Sequence, residues 1–191
     1  MSADDLGCAL LVIARTAIAE SLGLRQAADP EHAALARPAA TFVTLKQDGE
    51  LRGCIGTLAA FRPLRTDVRE NAIGAAFRDP RFLPLTAGEF AATSVEVSLL
   101  SECAALDAAD EDELLAALRP GHDGLVLELG RHRATFLPQV WDALPDPREF
   151  VAALKRKAGL PADFWSAGIA LSRYTVTKWS ETGAAVAGAQ P

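Results

Sequence analysis

Residues 41–57 constrain the fold of this chain more than any other stretch, because two β-prone runs, 41–47 and 50–57, are joined by Asp48-Gly49. That dipeptide tolerates the positive backbone angles of a two-residue hairpin turn, so it sets which residues face each other. The expected pairs are Gln47 with Glu50, Leu45 with Arg52, Val43 with Cys54 and Thr41 with Gly56, each pair sharing one sheet face. On that register Arg52, Cys54 and Gly56 point the same way, while Gly53 alternates to the other face with Leu51 and Ile55. Glycine weakens a strand unless a bulge, a close backbone or a ligand needs the room. Gly56 is therefore expected to hold space for a ligand, and Gly53 to permit close packing.

Around this hairpin the chain alternates helical and strand patterns. Ser2-Ala3-Asp4-Asp5 reads as a capping box before a helix with a wide apolar face that includes Leu6, Leu10, Ile13 and Ala17. Residues 25–39, with Pro30 and Pro38, read as a loop with about one helical turn. Leu64, Val68, Ala72, Ala75 and Ala76 recur at helical spacing after Pro63, and Asp79-Pro80 stops that helix because a residue before proline avoids the α region. Residues 93–101 alternate as a strand with Glu96 on the polar face. Residues 110–113 put four acids in the first turn of a short helix. Residues 125–137 read as a second hairpin with Glu128 facing Arg133, and Asp146-Pro147-Arg148-Glu149 starts a helix that carries Lys155, Arg156 and Lys157 near its carboxyl end. Residues 168–181 read as one long β segment.

A chain of 191 residues, half of them hydrophobic, buries a substantial core as one domain or one domain with two lobes. Its formal net charge of −6 argues against general nucleic-acid or anionic-membrane binding. Cys8, Cys54 and Cys103 form no CxxC pair and leave one thiol over in any disulfide scheme, which points to a reducing, cytoplasmic compartment. No structural zinc is expected, and nothing in the pattern names a cofactor. The acids near the amino terminus, with Arg15 closing the apolar run, argue against a signal peptide or a membrane span.

The segment Leu51-Arg52-Gly53-Cys54-Ile55-Gly56-Thr57 resembles the signature of the AMMECR domain family, whose bacterial members are also called AmmeMemoRadiSam system protein A. Asp79-Pro80-Arg81-Phe82, Pro84-Leu85-Thr86 with Glu89, Val95-Glu96-Val97-Ser98, the run 134–140 and Lys157-Ala158-Gly159-Leu160 resemble the family in the same order. The resemblance implies an α+β fold, a largely antiparallel sheet with packed helices in a two-lobed domain. On this reading residues 1–182 form the domain and residues 183–191 a loose tail. It also implies the company of a Memo-like protein and a radical SAM protein.

Two functional readings follow. The first is an accessory module that binds a protein partner or a small ligand, an anion among the candidates, through a groove formed by Arg52, Gly53, Cys54, Ile55, Gly56 and Thr57 with Arg81. Six arginines between residues 52 and 81, with no lysine among them, would supply bidentate donors at its rim. The opposing reading of those arginines is an exposed helix face, with Arg65 and Arg69 beside Asp67 and Glu70. The second function is an enzyme that uses Cys54 with Arg52, and Glu96 or His122 for proton transfer. Against it, Cys54 facing Val43 would be a small core hydrophobe. Nucleic-acid binding through the arginine rim is a weaker third reading.

Overall fold

The computed structural model describes residues 3–24 and 28–181. Helix α1 (Ala3–Ser21) buries Leu10, Ile13, Ala14, Ala17 and Ile18 completely, the face its periodicity predicts; Ser2 of the expected capping box lies outside the described residues. The 3₁₀ turn Ala33–Ala36 is capped by His32, whose Nδ1 accepts the Ala34 amide at 3.1 Å. Strands β1 (Thr41–Gln47) and β2 (Glu50–Gly56) form the first hairpin, with φ of 50° at Asp48 and 84° at Gly49. Helix α2 (Leu64–Phe77) follows, then a short α3 (Ala87–Phe90) and β3 (Thr93–Leu100). The last strand of the chain, β8 (Val176–Ser180), completes a four-stranded sheet in the order β2-β1-β3-β8.

On this sheet Val43, Leu45, Val95 and Val97 are buried in one core with α1 and α2. By strand alternation Thr44, Lys46 and Glu96 occupy the opposite face. Strand β2 is an edge. Helix α2 lies close on it because both surfaces are small: a Cβ on Gly53 would stand 2.2 Å from the carbonyl oxygen of Ala75, and one on Gly74 would stand 2.9 Å from Cγ2 of Ile55.

The second compact unit spans residues 101–176, and the elements above belong to the first, which takes in the described residues up to 100 together with 177–181. Its sheet has the order β4 (Ala104–Ala105), β7 (Ala170–Tyr174), β5 (Gly124–Leu129), β6 (His132–Phe136). The expected pairs Glu128 with Arg133 and Leu127 with Ala134 are present. Helix α4 (Glu111–Ala117) starts at Asp110, which accepts the Glu113 amide, and α5 (Pro147–Lys157) starts at Asp146, which accepts those of Arg148 and Glu149. Trp141 stacks on Phe150 with centroids 3.8 Å apart in this core.

Three expectations need correction. Residues 168–181 are two strands, β7 and β8, in different sheets. Lys155 is fully buried and pairs with Glu111 at 2.7 Å, so it joins α5 to α4 rather than decorating a helix end. The register of the first hairpin changes between Leu45 and Lys46: Lys46 faces Leu51, Leu45 faces Gly53, Thr44 faces Cys54, Val43 faces Ile55 and Phe42 faces Gly56. Arg52 is the extra residue of a β-bulge, and everything after it slips by one. Residues 183–191 lie outside the described residues. Among the described residues no helix is long and apolar enough to cross a membrane.

Candidate functional site around strand β2

The bulge moves Cys54 off the core face. Its half-buried thiol accepts a hydrogen bond from the Thr44 hydroxyl at 3.3 Å. Because residues of an edge strand alternate in which neighbour their backbone serves, the amide and carbonyl of Cys54 point away from β1. Both are taken by the segment after α2. Oδ2 of Asp79 accepts the Cys54 amide at 2.8 Å, and Nη2 of Arg81 donates to the Cys54 carbonyl at 3.3 Å. Asp79 is buried, with only 4 % of its surface exposed. It accepts the Arg81 amide at 3.1 Å and the guanidinium at 2.9 and 2.6 Å. The Arg81 hydrogen bonds hold the Asp79 carboxyl well below the usual carboxylate range against the opposing effect of burial, and the Cys54 and Arg81 amides add to them. This pair blunts the open edge of β2 and fixes an exposed guanidinium beside a thiol.

Arg52 goes elsewhere. Its Nε and Nη2 both reach Oε1 of Glu89 at 3.4 Å, its guanidinium carbon lies 5.9 Å from the Phe82 ring centroid, and its Nη1 is buried without an acceptor. Glu89 closes the capping box of α3 with Thr86, and its carboxyl is held low by the Thr86 amide and hydroxyl, with Arg52 contributing. The pattern Thr86-Ala87-Gly88-Glu89 carries that signal in the sequence.

Glu96 shares a face with Cys54 through the register Cys54, Thr44, Glu96 across three strands, a backbone separation of about 10 Å from two strand spacings. Its carboxylate meets Lys46 at 3.3 Å, Lys178 at 3.1 Å and the Ser180 hydroxyl at 3.0 Å. Burial pushes its pKa up, but Lys178, Ser180 and Lys46 together hold it low. His122 belongs to the second unit, exposed, with Nδ1 3.2 Å from the Pro120 carbonyl.

The room beside Gly56 is already filled: a Cβ there would stand 2.2 Å from Cγ of Phe42 and 2.6 Å from the Thr41 carbonyl oxygen. Gly53 meets α2, as expected. The arginines between 52 and 81 are individually neutralised. Arg62 pairs with Asp67, Arg65 with Asp29 and Glu31, Arg69 with Glu20 and Asp29, and Arg78 with Glu70. Asp67, expected on a solvated helix face, is fully buried. It accepts from the Thr41 amide and hydroxyl, the Thr57 hydroxyl, Arg62 and Asn71. A carboxylate removed from water needs such a set of donors, and here they tie β1, the end of β2 and α2 together. Among the described residues no group of three or more His, Cys, Asp or Glu is placed to hold a metal ion.

The order of elements in both units bears on kinship, and the family model AMMECR1 matches residues 11–179. The chain belongs to the AMMECR1 family. Protein MJ0810 of Methanocaldococcus jannaschii is 40% identical to it over 140 residues, 70% of this chain and 68% of that protein. A protein of Methanothermobacter thermautotrophicus is 39% identical over 167 residues, 83% of this chain and 85% of its own length. The crystal structure of the uncharacterized protein PH0010 from Pyrococcus horikoshii superposes with a TM-score of 0.74 at 32% identity, covering 90% of this chain and 89% of that one. The AMMECR1 match takes in β2, the Asp79–Arg81 pair and Glu96 of the first unit and the whole of the second.

Proposed function

We propose that this AMMECR1-family protein is an accessory binding module that takes a protein partner, or a small ligand, on the surface around β2. One observation carries the reading: of the six large hydrophobic side chains exposed among the described residues, four lie in β2 or in the segments that follow it and Arg81, the other two being Val12 and Leu24. Leu51 lies in β2, Leu58 and Phe61 follow it, and Leu83, 83 % exposed, lies just after Arg81. Exposed apolar groups concentrated at one element mark an interaction surface better than the same groups scattered singly. The Asp79–Arg81 pair supports this use, since a fixed, exposed guanidinium gives a polar rim to an apolar contact. The Memo-like and radical SAM proteins implied by the family resemblance are the first partners to test. Capture from native cells with the full chain is expected to recover a saturable partner that Leu83→Asp loses without a change in melting temperature. The reading fails if capture is empty and thermal-shift screens of small anions and cofactors are flat.

A second reading, thiol chemistry at Cys54, is favoured by the Thr44 hydroxyl, because a donor to sulfur stabilises the thiolate. Iodoacetamide should then alkylate Cys54 in the folded chain, and alkylation at fixed pH should slow in Thr44→Val. Protection of Cys54 until denaturation would remove it.

A further inference from the structure

We infer that the loop leaving β2 is a preformed docking element for an acidic, apolar segment of a partner protein, with Leu58 and Phe61 as its anchors and Arg37 as its charge contact. The inference rests on reading the chain as a binding module and names the partner's chemistry. Residues 58–61 read Leu-Ala-Ala-Phe, and all four are exposed; Phe61 is 67 % exposed. Four consecutive exposed apolar residues depart from the pattern of an ordinary surface loop.

This loop is held at both ends by one atom. The Thr57 hydroxyl and Nε of Arg62 each donate to Oδ1 of buried Asp67 at 2.8 Å. The Thr57 amide is tied to the Thr41 carbonyl at 2.9 Å, and the Arg62 carbonyl accepts the Ala39 amide at 3.3 Å. The Arg62 guanidinium lies 5.0 Å from the Phe61 ring centroid, which fixes the ring as well. A loop ordered before it binds loses less conformational freedom on binding.

Charge selects the occupant. In the described part of the first unit the other arginines and lysines each pair with a carboxylate, whereas exposed Arg37 has no such ion pair. Arg37 borders the loop: its carbonyl accepts the Leu64 amide at 2.8 Å, and Pro38 bridges Pro63. Three residues of extended chain separate Arg37 from the level of Phe61, about 10 Å. A carboxylate at that distance from an apolar side chain satisfies both groups. A second copy of this chain would bring the same cation, and an anionic membrane would meet a chain of net charge −6 with one unpaired cation at the loop.

The test titrates the isotope-labelled full chain with a synthetic peptide of about ten residues that alternates Glu with Leu and Phe, and with its counterpart carrying Lys for Glu, lengths chosen to cover that ~10 Å spacing. The acidic peptide is expected to shift the amides of 58–61 and the Arg37 side chain. Phe61→Ser and Arg37→Glu should each weaken it by roughly tenfold or more while melting as the parent does, and the Lys peptide should not compete. Equal binding of both peptides, concentration-dependent self-association through the loop, or sedimentation with phosphatidylglycerol vesicles that Phe61→Ser abolishes would each overturn the inference. Shifts confined to Arg81 and Leu83 would overturn it while leaving the binding-module reading in place. No shift at any amide overturns it as well, and the capture experiment then decides the module reading separately.

Discussion

Gly53→Ala probes the contact on which the position of β2 depends. An ideal Cβ at Gly53 stands 2.2 Å from the Ala75 carbonyl oxygen and 3.1 Å from its carbon. The obstacle is helix backbone, so α2 must move away from the strand to relieve it. Gly53 does not have a positive φ, so alanine also narrows the unfolded ensemble, a gain of about 0.4–1 kcal/mol. Overpacking a core costs about 1–3 kcal/mol, and a rigid obstacle places this site at the upper end, which leaves a net loss of about 2 kcal/mol. At a conversion of about 2–4 °C per kcal/mol for chains of this size, melting should fall by about 4–8 °C. Gly88→Ala is the matched control. It lies in α3 with nothing within 4 Å of the added methyl, so it should gain up to about 1 kcal/mol. Urea and thermal unfolding by circular dichroism, with amide exchange at Val43 and Val97 as local reporters, give both numbers. If Gly53→Ala were as stable as the parent, or moved in the same direction as Gly88→Ala, the close seating of α2 on β2 would be wrong.

Gly56→Ala should also destabilise by about 1–3 kcal/mol, because the Phe42 ring occupies the space; combining it with Phe42→Ala should recover part of the loss, and strictly additive losses in unfolding experiments would contradict the contact. The Asp79 carboxyl has its folded pKa depressed below the ordinary 3.8, chiefly by Arg81, so the stability it adds is present above that value and is lost as pH falls below it. The advantage of the parent over Asp79→Asn in urea should therefore be full near neutrality and shrink below about pH 4, and a difference independent of pH would refute it. Lys155→Ala leaves the Glu111 carboxylate, 22 % exposed, without its partner and should cost about 3 kcal/mol, whereas replacing the pair by Met and Leu should stay within about 1 kcal/mol of the parent. A double variant as unstable as the single one would argue against the burial of the pair.

The elements were legible where local chemistry decides them. Asp48-Gly49 placed the first hairpin, Glu128 opposite Arg133 placed the second, and Asp146 with Pro147 placed the start of α5, because turns, cross-strand charge pairs and caps act over a few residues. Asp67 was misread for the opposite reason. It stands beside Arg65 and Arg69, whose i to i+4 spacing is that of a solvated helix face, and only the return of Thr41 and Thr57 beside α2 reveals that the carboxylate is enclosed by donors. The ion pairs of Arg65 and Arg69 are likewise non-local, reaching Asp29 and Glu20.

The bulge at Arg52 separates these two cases and decides the chemistry of the site. The unbulged register would set Arg52 opposite core Leu45 and Ile55 on the face of Thr44 and Lys46; the bulge removes that mismatch and lets Gly53 meet Ala75 and Ile55 meet Gly74 on α2. The glycine without a Cβ is the residue of β2 that the helix backbone can approach, so Gly53 has to face inward, and with the hairpin turn fixed at Asp48-Gly49 the count to Gly53 is odd by one. Arg52 absorbs the mismatch. Cys54 is thereby turned from Val43, an apolar neighbour that would have left it a core residue, toward Thr44, whose hydroxyl donates to its sulfur. The same demand from α2 that strains the strand register is what brings the thiol to the polar face beside Arg81, so a variant that relieves the packing at Gly53 and Gly74 should also change how readily Cys54 reacts.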